Sequence, residues 1–408
     1  MNLRENYLQA LLFGNPDKIP LDPGNGREST RRRWYQEGLP AGMTGSAIIA
    51  EALRQAGIKE EMPRIGSAAF RVSDKMNPFF EEKVIERKEN SQVVQDWKGN
   101  ICEIGLEFDV TYLRTAHDFC TRRWIKCPVE SKNDWLEMMK RYDVSDPVRM
   151  PPEADRDKMA EQLKQRTWNC GFHFNGPYWQ LREWCGFEGL CLMFYDNPAL
   201  VEEMIDFWRI FIGDLLKKIL QYFTPDEIHI SEDMAYKGHS MLSPEMTRQF
   251  LQPCWNYWGE IIRNAGIPIY SMDSDGCIDE LIPIWIESGI NVCDPIEVAA
   301  GNDIVEFRKR FGRNIAYRGG LLAHVIENSD ASLIVAHADL APRLAEVDRA
   351  KLRTLVCLSG RLEACGDLEV LGADVLDPKE GELAPLERPV MPWDTQSIIY
   401  TSGTGGKP

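Results

Sequence analysis

The stretch Gly266-Ile267-Pro268-Ile269-Tyr270-Ser271-Met272 runs directly into Asp273-Ser274-Asp275-Gly276. A short apolar run entered through Gly and Pro and left through acids and Gly reads as a buried strand that ends in a polar turn. The same figure recurs along the chain. Cys170-Gly171-Phe172-His173-Phe174 leads to Asn175-Gly176-Pro177-Tyr178-Trp179, and Glu227-Ile228-His229-Ile230 leads to Ser231-Glu232-Asp233. Gly289 to Cys293 leads to Asp294-Pro295-Ile296-Glu297, and Asn314 to Arg318 leads to Gly319-Gly320. An earlier copy, Ile19-Pro20-Leu21, opens into Asp22 to Arg27. Between the runs, Pro198 to Leu220 and Pro244 to Ala265 carry large apolar residues at helical spacing, each after an Asn or Ser cap with Pro in the first turn. Strands alternating with helices predict an α/β chain with a parallel sheet.

Residues from about 65 to 130 break this rhythm. Gln92-Val93-Val94-Gln95-Asp96-Trp97-Lys98-Gly99-Asn100 has a tight Lys-Gly-Asn turn and predicts an antiparallel insertion.

In a β/α barrel, chemistry gathers where the strands end. Acids stand there repeatedly: Glu232 and Asp233, Asp273 and Asp275, and Glu297. Converging carboxylates can hold a divalent cation, move protons or stabilise a cationic intermediate. They can equally be N-caps of the helices that follow. His173 is expected to face the helices from within its strand, and His239 to lie in a loop that could cover the site.

The balance of charge is acidic, −16 over 408 residues, which argues against a nucleic-acid partner because phosphate binding needs a basic face. No stretch approaches the roughly 18 apolar residues that a bilayer span needs, and the N-terminus shows no secretion signal. The 11 cysteines contain no Cys-x-x-Cys pair, an odd count that fits reduced thiols and a cytoplasmic location.

Gly176-Pro177-Tyr178-Trp179, then Glu232-Asp233-Met234-Ala235-Tyr236-Lys237 with Leu242-Ser243-Pro244-Glu245, then Gly266 to Gly276 resemble the uroporphyrinogen decarboxylase superfamily in order and spacing. Leu281-Ile282-Pro283, Glu287 to Asn291, Pro295-Ile296-Glu297, Ala300 to Asp303, Phe311-Gly312 and Gly319-Gly320 continue the pattern. The resemblance implies a (β/α)8 TIM-type barrel over residues 1–320, an enzyme acting on a small molecule, and frequent homodimers. It implies one of two chemistries. One is cofactor-free decarboxylation of a tetrapyrrole or related molecule, with an acid stabilising a protonated pyrrole and arginines holding propionates. The other is methyl transfer on a corrinoid-linked substrate, with zinc on a His-x-Cys pair and a later Cys. Asp233, Asp273, Asp275 and Glu232 would then be catalytic, and Arg27, Tyr178, Trp179, Glu297 and Lys237 would line the substrate.

Several positions depart from both patterns. Gly24-Asn25-Gly26-Arg27 stands near where decarboxylases have Arg-Gln-Ala-Gly-Arg, leaving Arg27 as the comparable guanidinium. Asp233 replaces a usual Ser, and Arg182, Glu183 and Trp184 fill the region where a Tyr is expected. Asp273-Ser274-Asp275 replaces His-x-Cys, and oxygen donors suit Mg²⁺, Mn²⁺ or no metal better than a thiolate-activating zinc. The expectation is therefore no cofactor, with a divalent ion at Asp273 and Asp275 as the alternative.

The texture changes near Gly320. Of 16 Phe, 12 Trp and 12 Tyr, Trp393 and Tyr400 alone follow it. Ala323 to Ala331 and Ser332 to Ala336 read as a helix and then a strand. Asp394 to Pro408, with Thr401, Ser402, Gly403, Thr404 and Lys407, resembles the phosphate loop of adenylate-forming acyl-CoA ligases, with Gly405 where that family has Thr. Residues 321–408 are thus expected to be a piece of an AMP-binding ligase N-terminal domain, an ATP-binding remnant without full ligase activity. It would be joined at Ala316 to Gly320 to a barrel lacking its last strand. Such a fusion could be a non-catalytic chimera.

Overall fold

The structure is a computed structural model that describes residues 1–17, 28–36, 70–116, 120–319, 333–336, 352–357 and 365–372, with a few single positions between 20 and 47. Four strands come first: β1 (Lys83–Arg87), β2 (Ser91–Gln95), β3 (Ile101–Gly105) and β4 (Arg122–Lys126). They form an antiparallel sheet in sequence order. The β2–β3 turn has Gly99 at φ +90°, where a side chain would be strained, and the Asp96 carboxylate accepts the Lys98 and Asn100 amides at 2.9 and 3.0 Å. Val94, Cys102, Ile104 and Tyr112 pack beneath this sheet.

The central sheet contains β5 (Gly171–Asn175), β6 (Glu227–Ser231), β9 (Ile269–Asp273), β10 (Val292–Ile296) and β11 (Ala316–Gly319). A small hairpin, β7 (Ala235–Tyr236) with β8 (His239–Ser240), follows β6. All five central strands are parallel, in the order β11-β10-β9-β6-β5, so each is bonded to its neighbour in the succession. Helices make each return, as parallel connections require. The longest, Pro198–Leu220, begins with Pro after Asn197 and buries Leu200, Met204, Ile205, Trp208, Phe211, Ile212, Leu215, Leu216 and Ile219 at three- and four-residue spacing. In the helix Ile304–Phe311, the Asp303 carboxylate accepts the amides of Val305 and Glu306 at 2.8 and 3.0 Å.

Alternation along the strands separates two faces. Phe172, Phe174, Ile228, Ile230, Tyr270 and Met272 belong to one large core shared with Trp184, Trp208, Trp255, Trp258 and Trp285, all five of them fully buried. The other face carries His173, Glu227, His229, Ser231, Ser271, Asp273, Asp294 and Arg318. The N-terminal helix Leu3–Leu11 closes the incoming end of that face. Tyr7 packs there with Ile269, Val292 and Ala316, the first residues of three strands. Arg4 and Arg166 both bond the fully buried Asp226, Arg4 at 2.7 Å and Arg166 through two nitrogens at 2.8 and 2.7 Å.

The described strands therefore make an open five-stranded parallel sheet, and the expected eight-stranded closure is not formed among them. Each strand begins one to three residues later than its apolar run, or ends later, because the polar residue at the mouth still pairs. β12 (Leu333–Ala336) lies within the strand predicted at Ser332 to Ala336; it pairs in parallel with β13 (Thr354–Cys357), which pairs with β14 (Glu369–Gly372). The candidate strand Ile19 to Leu21, the helix Ala323 to Ala331, Arg27, and the loop residues Thr401, Ser402, Gly403, Thr404 and Lys407 fall outside the described residues. No described helix is long and apolar enough to cross a membrane.

Candidate active site

Two linked groups of polar side chains occupy the face opposite the core. At the outgoing edge, the Ser231 hydroxyl donates to Asp273 Oδ2 at 2.6 Å, and His173 Nε2 lies 2.8 Å from the same hydroxyl. His173 is exposed although it sits mid-strand, because Phe172 and Phe174 take the helix side. This corrects the expectation that its ring faces the helices.

Deeper in, Arg318 gathers the second group. Its Nη2 and Nε donate to Asp294 Oδ1 at 2.8 and 3.2 Å, its Nη2 also meets Glu227 Oε1 at 2.8 Å, and its Nη1 donates to Tyr7 OH at 2.8 Å. β11 and β6 are three places apart in the sheet, so the Arg318–Glu227 contact spans the face rather than a neighbouring pair. Tyr7 OH donates to Glu227 Oε2 at 3.0 Å, and the Ser271 hydroxyl donates to Glu227 Oε1 at 2.5 Å. His229 Nδ1 lies 2.9 Å from Ser271 Oγ and 3.3 Å from Arg318 Nη2. Ser271 gives its one proton to Glu227, and Arg318 Nη2 gives its two to Asp294 and Glu227, so in the neutral ring Nδ1–H donates to Ser271 Oγ and Nε2 is the bare nitrogen. The two groups meet where the His173 and His229 ring centroids come within 5.1 Å.

The electrostatics follow from burial and this pairing. Burial raises Asp273 above the usual carboxylate range, against the Ser231 hydrogen bond, and the nearby Asp294 adds to the rise. Asp294 is raised by burial and pulled back by Arg318. Burial works against charge on Glu227 too, yet Arg318, Ser271 and His229 together hold it low. Burial and Arg318 depress His229 to about 4.

The acids predicted from strand ends fall in different places. Asp273 lies in the network. Asp233 stands beside it in a left-handed conformation, φ +43°, and pairs with Arg182, whose nitrogens reach its carboxylate at 3.0 Å and its carbonyl at 2.9 Å. The Arg182 guanidinium covers the Trp179 ring at 4.5 Å. Glu232 is turned to the core: it is fully buried and accepts the amides of Tyr178 and Trp179 at 2.9 and 3.2 Å and the Trp255 indole N–H at 2.6 Å. That carboxylate anchors the start of the helix Pro177–Cys185, so it does not converge with Asp273. Glu297 accepts the Gly276 amide at 2.8 Å and ties the β9 exit to the β10 exit. Asp275 is partly buried in the same loop. Tyr178 is buried, with its hydroxyl 3.3 Å from the Met241 sulfur, and Lys237 is exposed at the tip of the β7–β8 hairpin beside the exposed His239.

Ser231 stood in one of the strand-end runs; Tyr7, His173, Glu227, His229 and Ser271 complete the network and were not among the strand-end candidates. The signal for them is the period of two, Glu227-x-His229-x-Ser231 and Ser271-x-Asp273, inside otherwise apolar runs. Among the described residues no group of three or more His, Cys, Asp or Glu is placed to hold a metal ion. Two surface clefts of about 280 and 430 Å³ lie elsewhere, one against Arg32 and Tyr112 and one against Arg156 and Lys218.

No family model matches the chain, and no curated protein matches it. Among solved structures it is similar to a methyltransferase from Methanosarcina mazei, at 10% identity, with 78% of this chain and 82% of that one covered and a TM-score of 0.42. A likeness so loose carries no argument about fold or chemistry.

Proposed function

We propose that this chain is an enzyme that moves a proton on a small organic molecule at the outgoing edge of its parallel sheet, with decarboxylation as the reaction. The observation that carries this reading is the chain His173–Ser231–Asp273, with links of 2.8 and 2.6 Å and its histidine end exposed. When Asp273 holds the proton it donates to Ser231, which donates on to His173. When Asp273 is ionised, each bond reverses. One hydroxyl can thus refill the acid from solvent without any side chain moving. The sequence resemblance to the uroporphyrinogen decarboxylase superfamily agrees with such chemistry. The carboxylate of an acetate side chain on an electron-rich ring would leave as CO₂, the pair of the broken C–C bond entering the protonated ring, and a proton would finally occupy the methylene carbon as the ring gives its own proton back. The net change is one proton consumed for each CO₂ released. Asp273 would supply that proton, and Asp294 and Asp233 would favour the transient positive charge.

A second reading, methyl transfer on a corrinoid-linked substrate, is favoured by a different observation. The described guanidiniums beside the network, Arg318 and Arg182, are both committed to carboxylates, Arg318 to Asp294 and Glu227 and Arg182 to Asp233. That arrangement suits a neutral or cationic methyl donor better than a tetrapyrrole with many carboxylates. The test is a pair of assays on the purified chain. Release of CO₂ from uroporphyrinogen or simpler pyrrole-acetic acids, with one deuterium taken up from D₂O, supports the first reading. Transfer of the methyl group of methylcobalamin to an added thiol, without CO₂ release, supports the second, and neither activity sinks both.

A further inference from the structure

The residues that lead into the antiparallel sheet, 70–78, cross the end of β5, and one guanidinium fixes them there. Arg149 is fully buried, and its hydrogen bonds go to backbone carbonyls: Nε to Asp143 and Nη2 to Arg141, each at 3.0 Å, and Nη1 to Ser73 at 3.4 Å and to Lys75. The Ser73 amide donates back to the Arg149 carbonyl at 3.0 Å. Burying a cation is costly, and the carboxylates of Asp146, Asp74 and Asp143 offset part of that cost at Arg149, so the clamp and Asp74 act on one another. The two carbonyls on Nη1 flank Asp74. Its carboxylate accepts the amide of Asn175 at 3.4 Å, two residues beyond His173 on the same face of β5; burial raises this acid, and the Asn175 amide and the His173 ring pull it back toward the charged form.

We infer that Asp74 is a positioning residue for the proton chain: the Arg149 clamp holds its carboxylate beside His173, where it favours the charged imidazolium at the solvent end. The inference rests on the proposed proton chain and adds the group that tunes its outer member. Two other elements also face His173. They bring Ser231 and His229 from β6 and Asp294 from β10, whose charge is felt at the same ring. The contribution of Asp74 must therefore be read as a difference between variants.

The experiment is an NMR titration of the His173 imidazole in the full chain, assigned with His173→Gln and needing no substrate. In Asp74→Asn the midpoint is expected to fall by about half a unit or more, because an opposite charge near the ring favours its protonated form. In Asp74→Glu, which keeps the charge, most of that fall should be absent. Asp74→Ser replaces Asn if the amide variant does not fold, with the same expected fall. A midpoint that stays put in the neutral variants, or that moves equally in Asp74→Glu, overturns the inference. Because no turnover is measured, missing CO₂ release counts against the proposed reaction and leaves this result standing.

Discussion

Ser231 and Asp273 lie side by side on adjacent parallel strands, and the serine hydroxyl donates to the aspartate at 2.6 Å. The bond makes Ser231 the sole link between Asp273 and the exposed His173 in the observed network. Ser231→Ala cuts the chain while removing one oxygen from an otherwise unchanged strand. If proton transfer is the slow step, kcat should fall roughly 10²-fold with KM little changed, the range that positioned acid–base groups supply. His173→Gln should show a similar loss, and the double variant little more than either, since both break one path. Steady-state assays on the three variants check this, and additive losses would contradict a single path.

Asp273 also has a stability signature. Its folded-state pKa is raised by burial and by Asp294, so the folded chain holds this proton to a higher pH than the unfolded chain does. That contribution is fully present below the unfolded carboxylate value and is lost as pH rises through the folded one. Asp273→Asn removes the titration. It should gain on the wild type as pH rises, melting at an equal or higher temperature at pH 8 while losing activity. Thermal melts at pH 4 and pH 8 measure the difference, and a variant whose deficit grows with pH would overturn the assignment.

Arg318 answers to Asp294 and Glu227 together, with Tyr7 on its third side. Arg318→Met would leave two carboxylates in a largely buried place without their cation. A loss of about 3–5 kcal/mol is expected, as when one member of a buried pair is removed. Urea unfolding at neutral pH would show it. A loss below about 1 kcal/mol, the level of an exposed ion pair, would mean that the network is hydrated.

The sheet was largely legible because its strands are apolar runs punctuated by acids and Gly. The inner face was not, and parity explains why. Phe172, His173 and Phe174 form an alternating triplet, and alternation alone assigns His173 to the face opposite the two phenylalanines. Reading the triplet as one buried strand hides this. Glu232 next to Ser231 shows the same effect: one residue further along, the side chain points to the opposite layer, so an acid just past a strand end can serve the core. Tyr7 and Arg318 are bonded across 311 positions of sequence, and no local pattern could have paired them.

His229 carries a pH dependence of opposite sign to Asp273. Its ring is depressed to about 4 by burial and Arg318, so the unfolded chain, with an ordinary imidazole near 6.5, takes up its proton first on acidification. This group's contribution is complete above the unfolded value and is lost as pH falls from about 6.5 toward 4. His229→Gln lacks it. The stability difference between wild type and variant should therefore grow between pH 4.5 and 7 and level off above, as followed by urea titration. A difference that is flat across this window would show that the ring is not held neutral.

Glu232 tests how the core is tied to the site. Three N–H groups converge on its carboxylate, and Gly176 sits against it so closely that an added Cβ would collide with both oxygens. Glu232→Gln keeps the shape but turns an amide NH₂ toward donors, leaving at least one buried N–H unmet. A loss of about 1–3 kcal/mol is expected. Burial pushes the wild-type acid up to about 8 against those donors, so the stability that it contributes by holding a proton declines as pH rises from the unfolded value near 4.5 through 8. The deficit of Glu232→Gln should accordingly be larger at pH 5 than at pH 9. Gly176→Ala has an ordinary φ of −72°, so its effect comes from displacing the carboxylate rather than from backbone strain. It should cost as much as Glu232→Gln, and the double variant should cost less than the sum, because the two changes break the same contact. Chemical unfolding of the three variants decides the point. Full additivity would mean that Gly176 and the carboxylate are not coupled, and that the helix Pro177–Cys185 is held by packing alone.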